Sequence, residues 1–427
     1  MIFLMVKSLL GGDLHKKSSR KGVCSKAYER VKKMKKLLAL IMVLVLSLSM
    51  VACGSSSSDD SSDTDETSSD SSTAEFDGVI KIAVAGPQTG DNAEYGIGFA
   101  NAAELMAEQW NANGGVTVGD LTYEVEIVVY DDANDSDEAA IVAAEIVSDD
   151  DIYGVIGHFS SGVCMVAAEI YQAAQYVNIS PTSSHADYSS IGEYIFRNNT
   201  VISVETATSA SLAVEDLGGT TIGVLSIDTE WGQSAGDAMV ENVEALGGYV
   251  ALRQEVSESA VDFATEIANF KEAGCDVIMI AGMYSTVGPF IVAMQNSDYI
   301  VPVVGCSNAY TDNLLEYAEQ ASDIDVYCPV SFFAGNTDED VVAYVEAYTE
   351  AYGSAPSALT TQAYDSVGIL LEAIERAGTL DREAIMEAMY ETEYDGLSGY
   401  TTFDEIGDAM KEFTKLTIID GEWVVYE

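Results

Sequence analysis

The chain has 427 residues and a formal net charge of −51, divided unevenly: residues 1–52 hold 11 of the 19 Lys and Arg against 2 Asp and Glu, whereas residues 53–427 hold 8 against 68. The resulting charge of −60 on that longer part argues against nucleic acid as a partner, because phosphate binding draws on a surplus of Lys and Arg. Six cysteines in 427 residues are too few for a disulfide framework, so an apolar core must hold the fold.

In chain order, Lys32, Lys33, Lys35 and Lys36 precede an apolar stretch from Leu37 to Leu46 that runs on through Met50-Val51-Ala52 to Cys53. This is a charged n-region, an apolar h-region and a small-residue cleavage site, and its run of about fifteen residues is short of the roughly 20 that span a bilayer. Met34 reads as the natural start, which makes residues 1–33 an upstream extension and residues 34–52 a signal peptide. Met50-Val51-Ala52-Cys53 resembles the lipobox of bacterial lipoproteins, with Cys53 as the lipidated residue and Met in place of the usual Leu. Residues 53–77 are then lipid anchor and tether: Gly54 to Asp77 is almost wholly Ser, Asp and Thr, with too little apolar surface to offset the entropy of ordering it.

From Val79 short β-rich runs alternate with helical patterns, the rhythm of a parallel sheet covered by helices. Val79–Ala85 predicts a strand ending at Gly86-Pro87, and Gly98–Asn111 a helix closed by Asn113-Gly114-Gly115. Thr122–Tyr130, Tyr153–Gly157 and the start at Val177–Ser180 predict further strands, with helices over Ser136–Ser148 and Gly162–Gln175. The pattern restarts at Thr221–Ile227, followed by a helix over Gly232–Leu246 that Gly247-Gly248 ends as a left-handed cap would. Strands follow over Tyr249–Gln254, Asp276–Ala281 and Val301–Gly305, then helices over Asp340–Tyr352 and Ala363–Ala377, and β segments close the chain at Leu416–Asp420 and Trp423–Tyr426. Two such series imply two lobes rather than one overgrown sheet.

These residues resemble a known family, the periplasmic-type receptors for leucine, isoleucine and valine that serve ATP-driven importers. The resemblance covers nearly all of Val79–Glu427 and is carried by Ile80–Val84 with Tyr95-Gly96, Tyr130-Asp131-Asp132, Val155–His158 and Ile179-Ser180-Pro181. Asp228 with Trp231-Gly232, Tyr352-Gly353 with Pro356, and Ala363-Tyr364-Asp365 carry it further. It implies the α/β periplasmic binding protein type I fold, with two Rossmann-like lobes of parallel sheet joined by three crossovers near Asn198–Ser203, Cys328–Ser331 and Leu397–Tyr400. Lobe I would comprise residues 78–199 plus 331–397, and lobe II residues 200–330 plus 398–427. The ligand would lie in the cleft, enclosed by a hinge motion.

The resemblance also implies a site. Ser161, Thr182 and Ser184 match positions that hold a ligand carboxylate. The Ser160-Ser161-Gly162 segment, between a strand end and a helix start, supplies unpaired N–H groups and a helix dipole for an anion; a plain helix cap is the other reading of Ser161. Tyr95 matches an aromatic that covers the ligand side chain. In the second lobe Ser307 stands where branched-chain receptors carry an acid for the ligand ammonium, and Met283, followed by Tyr284, stands where they place a tyrosine. Asp228 or Glu230 is then a candidate for the missing negative charge, with Trp231 and Tyr284 as further contacts. The first-lobe disulfide of the family is absent, since Asn134 and Ser160 occupy the matching positions.

Other motifs are weaker. Gly232-Gln233-Ser234-Ala235-Gly236 fits a nucleophile elbow, yet every histidine (His15, His158, His185) lies upstream of Ser234, contrary to the order that mechanism needs. Gly96-Ile97-Gly98 lacks the third glycine of a dinucleotide loop. Asp131–Asp137 lacks the glycine and distal glutamate of a calcium loop and reads as capping acids. The expectation is therefore no enzyme, cofactor or metal. The chain is read instead as an extracytoplasmic, lipid-anchored solute-binding protein of an ABC importer, taking a branched-chain or other apolar amino acid and docking on a permease with its ATPase subunits. A membrane-tethered ligand sensor, or a receptor for an amide-type solute, is the alternative.

Overall fold

The computed structural model describes residues 76–427; the leader, Cys53 and most of the tether lie outside the described residues. Among them the chain opens with strand β1 (Gly78–Gly86), helix α1 (Ala93–Ala112), β2 (Val116–Val118), β3 (Leu121–Asp131), α2 (Ser136–Ile146), β4 (Ile152–Gly157), α3 (Ser161–Ala174), β5 (Asn178–Ser180) and β6 (Ile195–Arg197). These strands form one sheet in the order β2-β3-β1-β4-β5-β6. Strand β1 is apolar on both faces, with Ile80, Ile82, Ala83, Val84 and Ala85 wholly buried, as expected of a parallel strand with helices on each side.

A second series follows: α4 (Ile202–Ser211), β7 (Ile222–Ile227), α5 (Glu230–Ala245), β8 (Val250–Val256), α6 (Ala264–Ala273), β9 (Val277–Ala281), α7 (Tyr284–Asn296), β10 (Val303–Val304), α8 (Asp312–Gln320) and β11 (Val326–Val330). The chain then returns to the first lobe for α9 (Glu339–Tyr352), α10 (Ala358–Ala377) and α11 (Arg382–Met389), forms the hairpin β12 (Tyr394–Gly396) and β13 (Gly399–Thr401), and ends in the second lobe with β14 (Thr414–Ile419) and β15 (Glu422–Val425). The second sheet has the order β15-β14-β11-β10-β9-β7-β8.

The fold is α/β with two lobes, but the sheets are mixed rather than purely parallel. β2 runs antiparallel to β3, and β14 runs antiparallel to both β11 and β15. The local reason is turn chemistry: Asp420 and Gly421 both have positive φ, 53° and 82°, the two-residue hairpin conformation that Asp-Gly favours and that sends the last strand back. Helix α1 begins five residues earlier than the apolar period suggests. Gly96 permits this, since a Cβ there would lie 2.0 Å from the Pro87 carbonyl oxygen, so Tyr95 sits in the first helical turn.

Helix α10 carries the junction between the lobes. It is buried almost all round, and its polar residues point at the crossing strands. Gln362 Nε2 donates to Asn198 O at 2.8 Å while Asn198 Nδ2 donates back to Gln362 O at 3.0 Å. The Asp365 carboxylate accepts from Leu397 N (3.1 Å), Ser398 N (2.7 Å) and Ser398 Oγ (2.5 Å). Beside it the buried Lys411 ammonium donates to Thr401 Oγ1 at 2.7 Å, and burial lowers its pKa to about 8. Arg197, wholly buried, pairs with Asp408 at 2.5 Å. Cys164, Cys275, Cys306 and Cys328 are separate buried thiols.

Candidate functional site

A chamber lies between the lobes, lined by Phe159, Ser160, Ser161, Thr182, Ser184 and Asn199, by Leu359 of α10, and, across the cleft, by Glu205, Trp231, Met283, Ser307 and Asn308. Two larger openings flank it. One is lined by Glu94, Tyr95, Asp312, Tyr348 and Tyr352, the other by Asp91, Asp228, Glu258 and Tyr284. The smaller chamber is the better candidate despite its size, because buried polar groups converge there beside an apolar patch, the composition of a site for a small polar solute.

The first-lobe wall is built by the ends of β4 and β5 and the start of α3. Ser160 holds the N-cap position of α3 but its side chain makes no capping bond, so the first N–H groups of that helix have no side-chain acceptor. Ser161 Oγ accepts weakly from Ser184 N at 3.4 Å, leaving its own proton free. Thr182 differs: its hydroxyl donates to Phe159 O at 2.7 Å and lies 3.1 Å from His158 O, so it fastens two backbone segments together and has no second proton to offer. Behind this wall His158 is buried between Asp132 (2.5 Å) and the Tyr171 hydroxyl (2.9 Å), a structural tie rather than a cleft residue.

The second-lobe wall is built by α4, the start of α5 and the segments after β9 and β10. Glu205, on α4, is 3% exposed, and its Oε1 accepts from Ser307 N at 2.6 Å. Burial raises its pKa, a shift the Ser307 hydrogen bonds oppose. Trp231, one residue into α5, donates from Nε1 to Ser184 Oγ at 3.1 Å and so bridges the cleft. Tyr95 bridges it from the other side: its hydroxyl donates to Asn308 O at 2.9 Å while its ring stacks on Phe159 with centroids 4.4 Å apart. Among the described residues no Lys or Arg lines the chamber. All eight are engaged elsewhere, as Lys81 with Asp149, Arg253 with Asp237 and Lys415 with Asp216 illustrate.

Of the residues singled out in the sequence, Ser161, Thr182, Ser184, Trp231 and Ser307 meet at the chamber. Tyr95 lies one layer out, behind Phe159. Asp228 and Tyr284 line the separate opening, where Asp228 accepts from Glu258 N at 2.9 Å, and Glu230 is exposed beside His185. Sequence reasoning missed Glu205 and Asn308. Glu205 lies on α4, a Ser, Thr and Ala-rich helix without an apolar period, and nothing distinguished it from the other acids of the chain. The remaining motifs resolve as packing and capping. A Cβ at Gly232 would lie 2.3 Å from the Ile227 carbonyl oxygen, and Asp135 caps α2 through Asp137 N and Glu138 N.

Comparison with known proteins agrees with this architecture. The family described as periplasmic binding protein matches residues 79–418. The leucine-, isoleucine-, valine-, threonine- and alanine-binding protein of Pseudomonas aeruginosa is 29% identical over 338 residues, 78% of this chain and 88% of that protein. Two solved structures share the fold. One is the branched-chain amino acid transporter substrate binding protein of Streptococcus pneumoniae in complex with isoleucine, with a TM-score of 0.73, 22% identity and coverage of 82% and 99% of the two chains. The other, with the same TM-score of 0.73, is a solute binding protein of an ABC transporter from Rhodopseudomonas palustris in complex with 3,4-dihydroxybenzoic acid, at 20% identity and coverage of 82% and 96%.

Proposed function

We propose a function from the premise that this chain belongs to the periplasmic binding protein family: it captures an apolar, branched-chain type amino acid outside the cytoplasm and delivers it to an ABC importer. The relatives are named as solute-binding proteins, not enzymes, and the chamber suits that role.

The observation that carries the reading is a first-lobe wall that presents hydroxyl protons and helix N-terminal N–H groups, with no basic side chain lining the chamber. A carboxylate fits such a wall, since Ser161 Oγ–H, Ser184 Oγ–H and the start of α3 all offer positive ends to it. Phe159, Trp231, Met283 and Leu359 form the apolar remainder, shaped for a side chain without charge. Opening of the lobes about the α10 junction admits the solute; closing replaces solvent with the Trp231–Ser184 and Tyr95–Asn308 bridges. Anchoring through Cys53 and docking on a permease complete the cycle. Thr182 contributes by holding the wall, its hydroxyl spent on Phe159 O and its backbone N–H donated to Ser180 Oγ.

Titration calorimetry against a panel of L-amino acids tests this, with Ser161→Ala and Ser184→Ala beside the parent protein. Each substitution is expected to weaken binding by about tenfold, the worth of one hydrogen bond to a charged group. Unchanged affinity in both variants removes the anion site.

A further inference from the structure

The second-lobe wall holds an electrostatic imbalance that the first does not. Glu205 is buried at the chamber surface, held by Ser307, and among the described residues no Lys, Arg or His pairs with it. A carboxylate taken out of water without a counter-charge is costly, and proteins retain one where something else supplies the cation. A second residue of the chamber lining carries a polar atom with no partner at all. Asn308 is 7% exposed, its Oδ1 has no partner, and its Nδ2 donates to the Met283 sulfur at 3.0 Å. A thioether accepts but cannot donate, so the amide is oriented with its oxygen away from the sulfur. A carboxylate without a counter-charge and an amide oxygen without a donor thus belong to residues that line the same chamber opposite the hydroxyl wall.

We propose that Glu205 and the side-chain carbonyl of Asn308 form a subsite for a ligand ammonium group, so that the chamber selects an α-amino acid over the plain carboxylic acid of the same shape. The proposal rests on the capture reading and sharpens it, because the fold alone serves both an isoleucine complex and a dihydroxybenzoic acid complex. The ligand carboxylate meets the first wall and its ammonium meets Glu205 across the closed cleft. A carboxylic acid lacking the ammonium leaves Glu205 bare and brings a second negative charge near it. Ser307 is a positioning residue: its backbone N–H fixes the carboxylate, and Gln at position 205 keeps an oxygen for that bond.

The experiment titrates the parent protein, Glu205→Gln and Asn308→Ala with the L-amino acid panel and with the des-amino acid of the tightest binder (4-methylpentanoate where that is leucine). The parent is expected to prefer the amino acid by about 1,000-fold or more, the discrimination of a site built to bond an N–H group. Glu205→Gln should weaken amino acid binding on the order of 100-fold while holding or improving the des-amino acid, and unliganded Glu205→Gln should melt no lower than the parent. Asn308→Ala, an independent variant, should lose about tenfold on the amino acid alone. Amino acid affinity retained within about threefold in a folded Glu205→Gln protein overturns the proposal. So does a parent protein that binds only des-amino acids, an outcome that leaves capture standing. Binding of neither set removes both readings.

Discussion

The two walls of the chamber solve opposite problems. On the first-lobe wall the polar groups mostly satisfy one another: Thr182 is spent on Phe159 O, Asn199 Nδ2 on Thr182 O at 2.8 Å, and Ser184 Oγ receives the Trp231 indole N–H. On the second-lobe wall Glu205 has no counter-charge and Asn308 Oδ1 has no partner. The first wall lacks only acceptors for the Ser161 hydroxyl proton and the start of α3, whereas the second leaves a buried carboxylate without a counter-charge. The difference suggests that anchoring is built into the first lobe as ordinary loop and helix-start chemistry, whereas selectivity is stored in the second lobe as destabilisation that a ligand relieves.

The largest effect expected is one that abolishes the comparison by separating the walls. Asp365→Ala removes the acceptor of three hydrogen bonds from the last crossover and leaves Lys411 buried beside an uncompensated gap. Stability should fall by about 3–5 kcal/mol, the usual cost of stranding a buried charge. Urea denaturation measures it, and a loss under 1 kcal/mol would mean that the junction does not depend on this cluster.

The next two predictions have opposite signs. Thr182→Val deprives Phe159 O of its donor and should destabilise the unliganded protein by about 1–2 kcal/mol. Glu205→Gln removes a stranded charge and should stabilise it by on the order of 1 kcal/mol, as substitutions at strained functional sites commonly do. The pH dependence follows from the raised Glu205 pKa, caused first by burial. The folded protein holds the Glu205 proton to higher pH than the unfolded chain. This contribution is therefore fully present below the ordinary Glu pKa of about 4.3 and is lost as pH rises through the raised folded value. The gap between Glu205→Gln and the parent should widen as pH rises across that window. A constant gap would place the Glu205 effect in packing rather than charge.

The same contrast explains what was legible in the sequence. The first wall was readable because each residue sits where strand ends meet helix starts, at Gly157–Gly162 and Ser180–Ser184, and such junctions leave composition cues and a family resemblance. The second wall was readable only at Trp231 and Ser307. Glu205 lies on α4, whose sequence ISVETATSAS has little apolar period, and its partner Ser307 is 102 residues away in the chain. The parallel pairing followed from the βα rhythm, while the antiparallel edges depended on short hairpins such as Asp420-Gly421 that the parallel pattern overshadowed. Tyr95 was placed at a turn because the apolar period begins at Gly98, yet Gly96 lets the helix start against Pro87.

The smallest effects expected are the most discriminating. Asp228→Asn and Glu230→Gln each remove a negative charge near the cleft, as Glu205→Gln does, but both side chains are exposed: Asp228 is bonded to Glu258 N at 2.9 Å, and Glu230 lies 3.5 Å from His185 at the cleft rim. Solvent screens such charges, so stability should change by less than about 0.5 kcal/mol and amino acid affinity by less than about twofold. In a chain this acidic, a general field would make any lost charge weaken an ammonium ligand by a similar factor. Only a desolvated carboxylate in contact with the ligand makes one position count and its neighbours not. Calorimetry on the two variants beside Glu205→Gln separates these cases, and a loss above about threefold in Asp228→Asn would move the ammonium out of the chamber and toward the opening that Asp228 lines.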